Sequence, residues 1–178
     1  MSSQEQFYAG IIQEGCPDSL KEMLIDFAKA AESLGIRYRS TGCALSAPFD
    51  AVHRAQTTVP AEVRIKPGIE DMKNREAFKE ALRYRPDLEG KGPEVVRCVT
   101  RMSHVILGEN LDTPVRQLVL WTIGGREGMR GYSTRPVDIL RQVATWHNID
   151  IINVQDIRSF IRMEHQIAQL RKQIQKSG

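Results

Sequence analysis

A chain of 178 residues with 41% hydrophobic side chains can fill one sizeable core, so one domain with an appendage is the expected scale. The net charge of +3 belongs to the tail: Arg158, Arg162, Arg171, Lys172 and Lys176 stand against Glu164 alone, which leaves −1 for everything before them. A near-neutral body lacks the electrostatic footprint of a nucleic-acid binder, and no apolar run reaches the roughly 18 residues of a membrane span.

Short apolar runs alternate with segments of helical period, which predicts an α/β domain with a mostly parallel sheet. Phe7 to Ile12 reads as the first strand. A helix then starts at Pro17 and Asp18, carries Leu20, Met23, Leu24, Phe27 and Ala31 on one face, and stops at Gly35. Ile36 to Arg39 reads as a second strand, followed by the small-residue turn STGCALSAP and a short helix through Phe49, Val52 and Ala55. Val63 to Lys66 is a third, short strand, and the highly charged run after it, about 68–92, suggests an exposed helix and a loop. Pro93 opens a helix whose buried stripe is Val95, Val96, Val99, Met102, Ile106 and Leu107. Gln117 to Ile123 is a strand apolar on both faces, as a central parallel strand is. Ser133 to His147 reads as a helix and Ile149 to Val154 as the last strand, which closes a domain over 1–155.

Residues 156–178 form a basic amphipathic helical extension. Phe160, Met163, Ile167, Leu170 and Ile174 follow spacings of three and four, the seam of a short coiled coil, and so point to an oligomer contact or to packing on the chain's own domain. Cys16, Cys43 and Cys98 are odd in number and widely spaced, which suggests neither a disulfide framework nor a zinc site and fits the reducing cytoplasm. His53, His104 and His147 lack metal-ligand spacing, so no metal and no cofactor is expected. Trp121 and Trp146 read as core, and Cys43 as a small buried thiol.

The candidate ligand site follows Trp121. In open parallel sheets, ligands sit beyond the carboxyl ends of strands, against helix N-termini. Gly124, Gly125, Gly128 and Gly131 allow close backbone approach there, and Arg126, Arg130 and Arg135 supply forked donors for phosphate or carboxylate. Ser133 and Thr134 offer hydroxyls or a helix cap. The sequence has no GxxxxGK[ST], which excludes a nucleoside-triphosphate P-loop.

Taken in order, FYAG at 7–10, YRSTGCALSAPFD at 38–50, VILGENLDTPVRQLVLWT at 105–122, GYSTRPVDILRQVA and NIDIINV resemble the SLOG superfamily. That Rossmann-like group includes DNA-processing protein A and the LOG-type, lysine-decarboxylase-like, nucleoside-monophosphate phosphoribohydrolases, and the small phage and bacterial relatives of DNA-processing protein A look most similar. The resemblance implies a nucleotide, or a nucleotide-derived signal, held by two glycine loops. The first is STGC here, with Gly42, Cys43 and, near the family's acidic position, Asp50; the second keeps Gly131 and Thr134. The usual Gly-x-Gly-Ser-Arg near the first strand is IIQEGCP, without the arginine, and the LOG glutamate position is Val137, with Asp138 beside it and about 100° around the helix. The resemblance therefore implies a noncatalytic or weakly catalytic nucleotide-binding protein, phage-encoded and so in the host cytoplasm, that senses or sequesters its ligand. One alternative is a phosphoribohydrolase using Asp138 and Asp50. The other is a ligand-free module that assembles through the C-terminal helix with itself, a virion or a host protein.

Overall fold

The computed structural model describes residues 5–54, 72–124 and 132–178. The expected strand over Val63 to Lys66 lies outside them. The elements are β1 (Phe7–Ile12), α1 (Asp18–Ser33), β2 (Arg37–Arg39), a 3-10 turn (Ala44–Ser46), α2 (Ala47–Arg54), α3 (Met72–Leu82), a 3-10 turn (Pro86–Leu88), α4 (Pro93–Leu107), β3 (Gln117–Trp121), α5 (Pro136–Trp146), β4 (Asp150–Asn153) and α6 (Ile157–Ser177). The four strands are all parallel, in the order β2-β1-β3-β4, with Tyr8 opposite Tyr38, Gly10 opposite Val119 and Val119 opposite Ile152. Parallel neighbours need crossover connections, and helices supply them on both faces. The result is a Rossmann-like α/β fold with a C-terminal helix.

Alternation along the strands divides the interior into two cores. Phe7, Ala9, Ile11, Leu118 and Leu120 face α4 and α5, where they meet Val99, Met102, Ile106, Ile139, Leu140 and Val143. Tyr8, Ile12, Val119, Trp121 and Ile152 face the other way, onto Leu24 and Phe27 of α1, Phe49 of α2 and Met163, Ile167 and Leu170 of α6. Gly10 is required at the crossing of β1 and α2, because a Cβ there would lie 2.7 Å from the Phe49 ring.

The structure corrects the sequence reading in three places and realises one alternative that the sequence left open. The apolar stripe of α6 is used inside its own domain: Met163, Ile167 and Leu170 are buried against α1 and the sheet, Ile174 packs partly beside them, and Phe160 is half-buried. A three-four spacing specifies an apolar face but not what covers it, and here the covering surface is intramolecular. The tail's positive charge is partly matched as well, by Arg162 on Asp150 (2.7 Å) and Arg171 on Asp26 (3.4 Å).

The charged run does hold a helix followed by a loop, but the helix has a buried side rather than being exposed all round. α3 buries Asn74, Ala77 and Ala81, and the following turn buries Leu88 and Arg85. The last helix of the domain begins at Pro136 rather than Ser133, since proline suits a first helical position. Trp146 is half-buried rather than core and stacks on the exposed Tyr84, with ring centroids 5.0 Å apart. Among the described residues, no helix is long and apolar enough to cross a membrane.

Candidate functional site

The strand order reverses direction at β1, which puts the switch point of the sheet between the carboxyl ends of β1 and β3. Side chains lace this edge. Gln13 N–H donates to the Trp121 carbonyl (3.0 Å), and Gln13 Oε1 accepts from Ile123 N–H (2.8 Å). On the other side Asn153 Oδ1 accepts from Thr122 N–H (3.3 Å), while its amide donates to Thr122 Oγ1 (3.1 Å). β3 therefore leaves the sheet in a fixed direction and turns at Gly124, whose φ of 96° suits glycine. Gly125, Arg126, Arg130 and Gly131 lie outside the described residues.

The first glycine loop is closed on itself. Gly42 N–H donates to Ser40 Oγ (3.0 Å), and Cys43 N–H donates to Thr41 Oγ1 (3.2 Å). Thr41 and Ser46 hydroxyls meet at 2.7 Å, and Ser46 Oγ donates to the Gly10 carbonyl at 2.7 Å. The N–H groups of Gly42 and Cys43, in the loop that the resemblance places beside the nucleotide, are thus already taken by hydroxyls of their own loop. Asp50, the acid of this region, accepts from the buried Tyr38 hydroxyl at 2.9 Å.

The start of α5 holds the second cluster. Asp138 is 1% exposed, and its Oδ2 accepts from Ser133 Oγ (2.6 Å) and Arg135 Nε (2.7 Å). Asp138 Oδ1 has no hydrogen-bond partner among the described residues. Arg135 is 63% exposed, and its bond to Asp138 raises an already high guanidinium pKa further. Arg141, one turn along, is buried; burial lowers its pKa and Asp138 opposes that shift. The Ser133 hydroxyl donates to Asp138 and accepts from the Arg135 backbone N–H (3.4 Å), while Arg135 occupies the N-cap position. Thr134 is exposed beside it.

Arg85 braces this turn from below. Its Nη1 donates to the Ser133 carbonyl and to Gln142 Oε1 (3.1 Å), and its other nitrogens grip Asp87 at 3.1 and 2.6 Å. Arg85, Gln13 and Asn153 were missed in the sequence. A polar residue ending an apolar run is a signal for the last two, whereas Arg85 sits inside a charged run that gives none.

The two candidate acids are not brought together. α2 carries Asp50 on the α1 face of the sheet and α5 carries Asp138 on the α4 face. The single histidines are structural. His53 is buried between Glu32 (2.5 Å) and the Tyr8 hydroxyl (2.7 Å), and His104 between the Gly108 carbonyl and Asn74. No group of three or more potential metal ligands occurs among the described residues. No protein-family model, curated protein or solved structure matches this chain.

Proposed function

We propose that this chain binds a nucleotide, or a nucleotide-derived anion, at the carboxyl edge of its sheet beside the first turn of α5, and holds it without efficient turnover. The observation that carries the reading is Arg135, whose Nε is fixed on Asp138 while most of its side chain stays exposed. A cation is thereby held in one orientation at a helix N-terminus and remains open to solvent. The helix itself contributes about 0.3–1 kcal/mol toward an anion, so the guanidinium supplies most of the preference. Tyr132, 82% exposed three residues earlier, adds an aromatic face of the kind a base stacks on.

Weak or absent turnover follows from the acids. Asp138 has one oxygen engaged by Ser133 and Arg135, and Asp50 belongs to the opposite face. The hydrolase alternative rests on Asp138 Oδ1, the oxygen without a partner among the described residues. It requires that Asp138→Asn abolish hydrolysis of a nucleoside monophosphate while binding persists.

The test is thermal stability against nucleoside mono- and diphosphates, ADP-ribose and cyclic nucleotides, with Arg135→Ala alongside. Ligand at 100 times its dissociation constant stabilises by about 2.7 kcal/mol, which for a chain of this size is a shift of roughly 5–10 °C. Loss of the shift in Arg135→Ala supports the site. The absence of any shift favours the interaction-module reading, because the first glycine loop is already self-satisfied. The exposed Ile123, Tyr132, Ile157 and Ile161 would then be the surface to probe with a second copy or a host or virion protein.

A further inference from the structure

A cavity of about 220 Å³ lies at the amino edge of the sheet, opposite the glycine loops, between the start of β1, the end of α4 and the loop that follows α4. Its walls are tied together. The last four carbonyls of α4 are all engaged: His104 by Gly108 N–H (2.8 Å), Val105 by Arg39 Nη1 (3.4 Å), Ile106 by Val115 N–H (2.7 Å) and Leu107 by Thr113 N–H (2.9 Å). The loop over 108–115 is thereby fixed to the helix, and the space is preformed, as small-molecule sites usually are.

Arg39, 6% exposed, lies in the floor. Its guanidinium stacks on the Phe7 ring, 4.1 Å from the centroid, and donates to the Thr113 hydroxyl (3.0 Å) as well as to Val105. All three of those residues line the cavity too. The exposed carboxylates Glu5, Glu109 and Asp112 line the same space. Arg37 answers Glu5 (3.0 Å) and Lys73 answers Glu109 (2.8 Å), and neither cation lines the cavity. Asp112 makes no ion pair among the described residues.

We propose that this cavity binds a small α-amino acid with an uncharged side chain, its carboxylate on Arg39 and its ammonium at Asp112. A lone anion here would meet three carboxylates around the guanidinium, and a lone cation would meet the guanidinium itself. A zwitterion offers each pole to its opposite. The planar fork of arginine suits a carboxylate, and its five N–H groups allow more bonds than the two given to Val105 and Thr113. Cavities for drug-sized ligands run to about 300–1,000 Å³, so this one suits a smaller molecule. The apolar walls, Phe7 and Val105, suit an uncharged side chain.

The experiment titrates the full chain with glycine, L-alanine, L-serine and L-valine by isothermal calorimetry at constant ionic strength. At least one should bind, whereas ethylamine, which lacks the carboxylate, and N-acetyl-L-alanine, which lacks the ammonium, should not. Asp112→Asn, at an exposed position, should weaken binding about tenfold or more, the worth of one charge-assisted hydrogen bond, with the unfolding midpoint unchanged. Arg135→Ala, at the other edge of the sheet, should bind the amino acid as the native chain does. Absence of binding by all of these amino acids overturns the proposal, as does equal binding of ethylamine or N-acetyl-L-alanine. Full affinity in Asp112→Asn, or loss of binding in Arg135→Ala, overturns the site.

Discussion

Gly10 shows how a single residue can be fixed by something distant in sequence. Any side chain there meets the Phe49 ring at 2.7 to 2.9 Å, so Gly10→Ala should destabilise by about 1–3 kcal/mol through overpacking. Phe49→Leu combined with it should recover part of the loss in a urea titration; simple additivity of the two changes would mean that the contact is not the cause. His53 makes a second prediction at this scale. Its Nδ1 faces Glu32 and must carry the proton, so in the neutral ring Nε2 accepts from Tyr8, and Tyr38 stacks on it at 4.7 Å. Burial lowers the imidazole pKa below its ordinary range, with Glu32 and Asp50 opposing. Because the unfolded state takes up that proton more readily, the stabilisation is present above about pH 6.5 and is lost as pH falls through the folded value. His147 shifts in the same direction, also by burial, but is more exposed and should contribute less. The urea midpoint should therefore drop between pH 7.5 and 5.5, and His53→Gln should flatten that drop; parallel profiles would exclude His53 as the source.

At the scale of elements, the four described strands were legible and the partners of the helices were not. LVLW and FYAGII announce buried central strands because their apolar residues run through both faces, and both are fully buried. The Phe160 to Ile174 stripe announces a helix with one covered face, yet the same spacing fits a second copy or α1. Only the folded chain decides. The STGC loop was legible as a turn, but its self-satisfied N–H groups were not, since which hydroxyl answers which N–H depends on local dihedrals. Arg85 was hidden for another reason: its acceptors Ser133 and Gln142 lie 48 and 57 residues on. Replacing it by methionine removes bonds to charged and neutral acceptors together, each charged one worth about 1.5–3 kcal/mol. Hydrogen exchange should rise first at the start of α5, around Val137 to Leu140; a uniform rise across the sheet would argue against a local brace.

For the whole molecule, the division into a domain over 1–155 and an appended helix, natural in the sequence, is not how the two cores are built. α6 is one of the covers of the core it shares with α1 and α2. Met163, Ile167 and Leu170 each bury a large apolar side chain, and removing the helix would open Val119, Trp121, Ile152 and Val154 to water. Full burial of such side chains contributes about 1.5–3 kcal/mol each, so the three together supply about 5–9 kcal/mol. The net stability of a domain is only about 5–15 kcal/mol. A chain ending at Gln155 should therefore lack cooperative thermal unfolding, bind a hydrophobic dye and associate on a sizing column. Leu170→Glu should produce the same failure in the full chain, whereas Ile161→Glu, on the exposed side of the helix, should leave the unfolding midpoint nearly unchanged. If 1–155 melts cooperatively at the full-length temperature, α6 is an appendage after all, and its apolar stripe becomes available for a second copy.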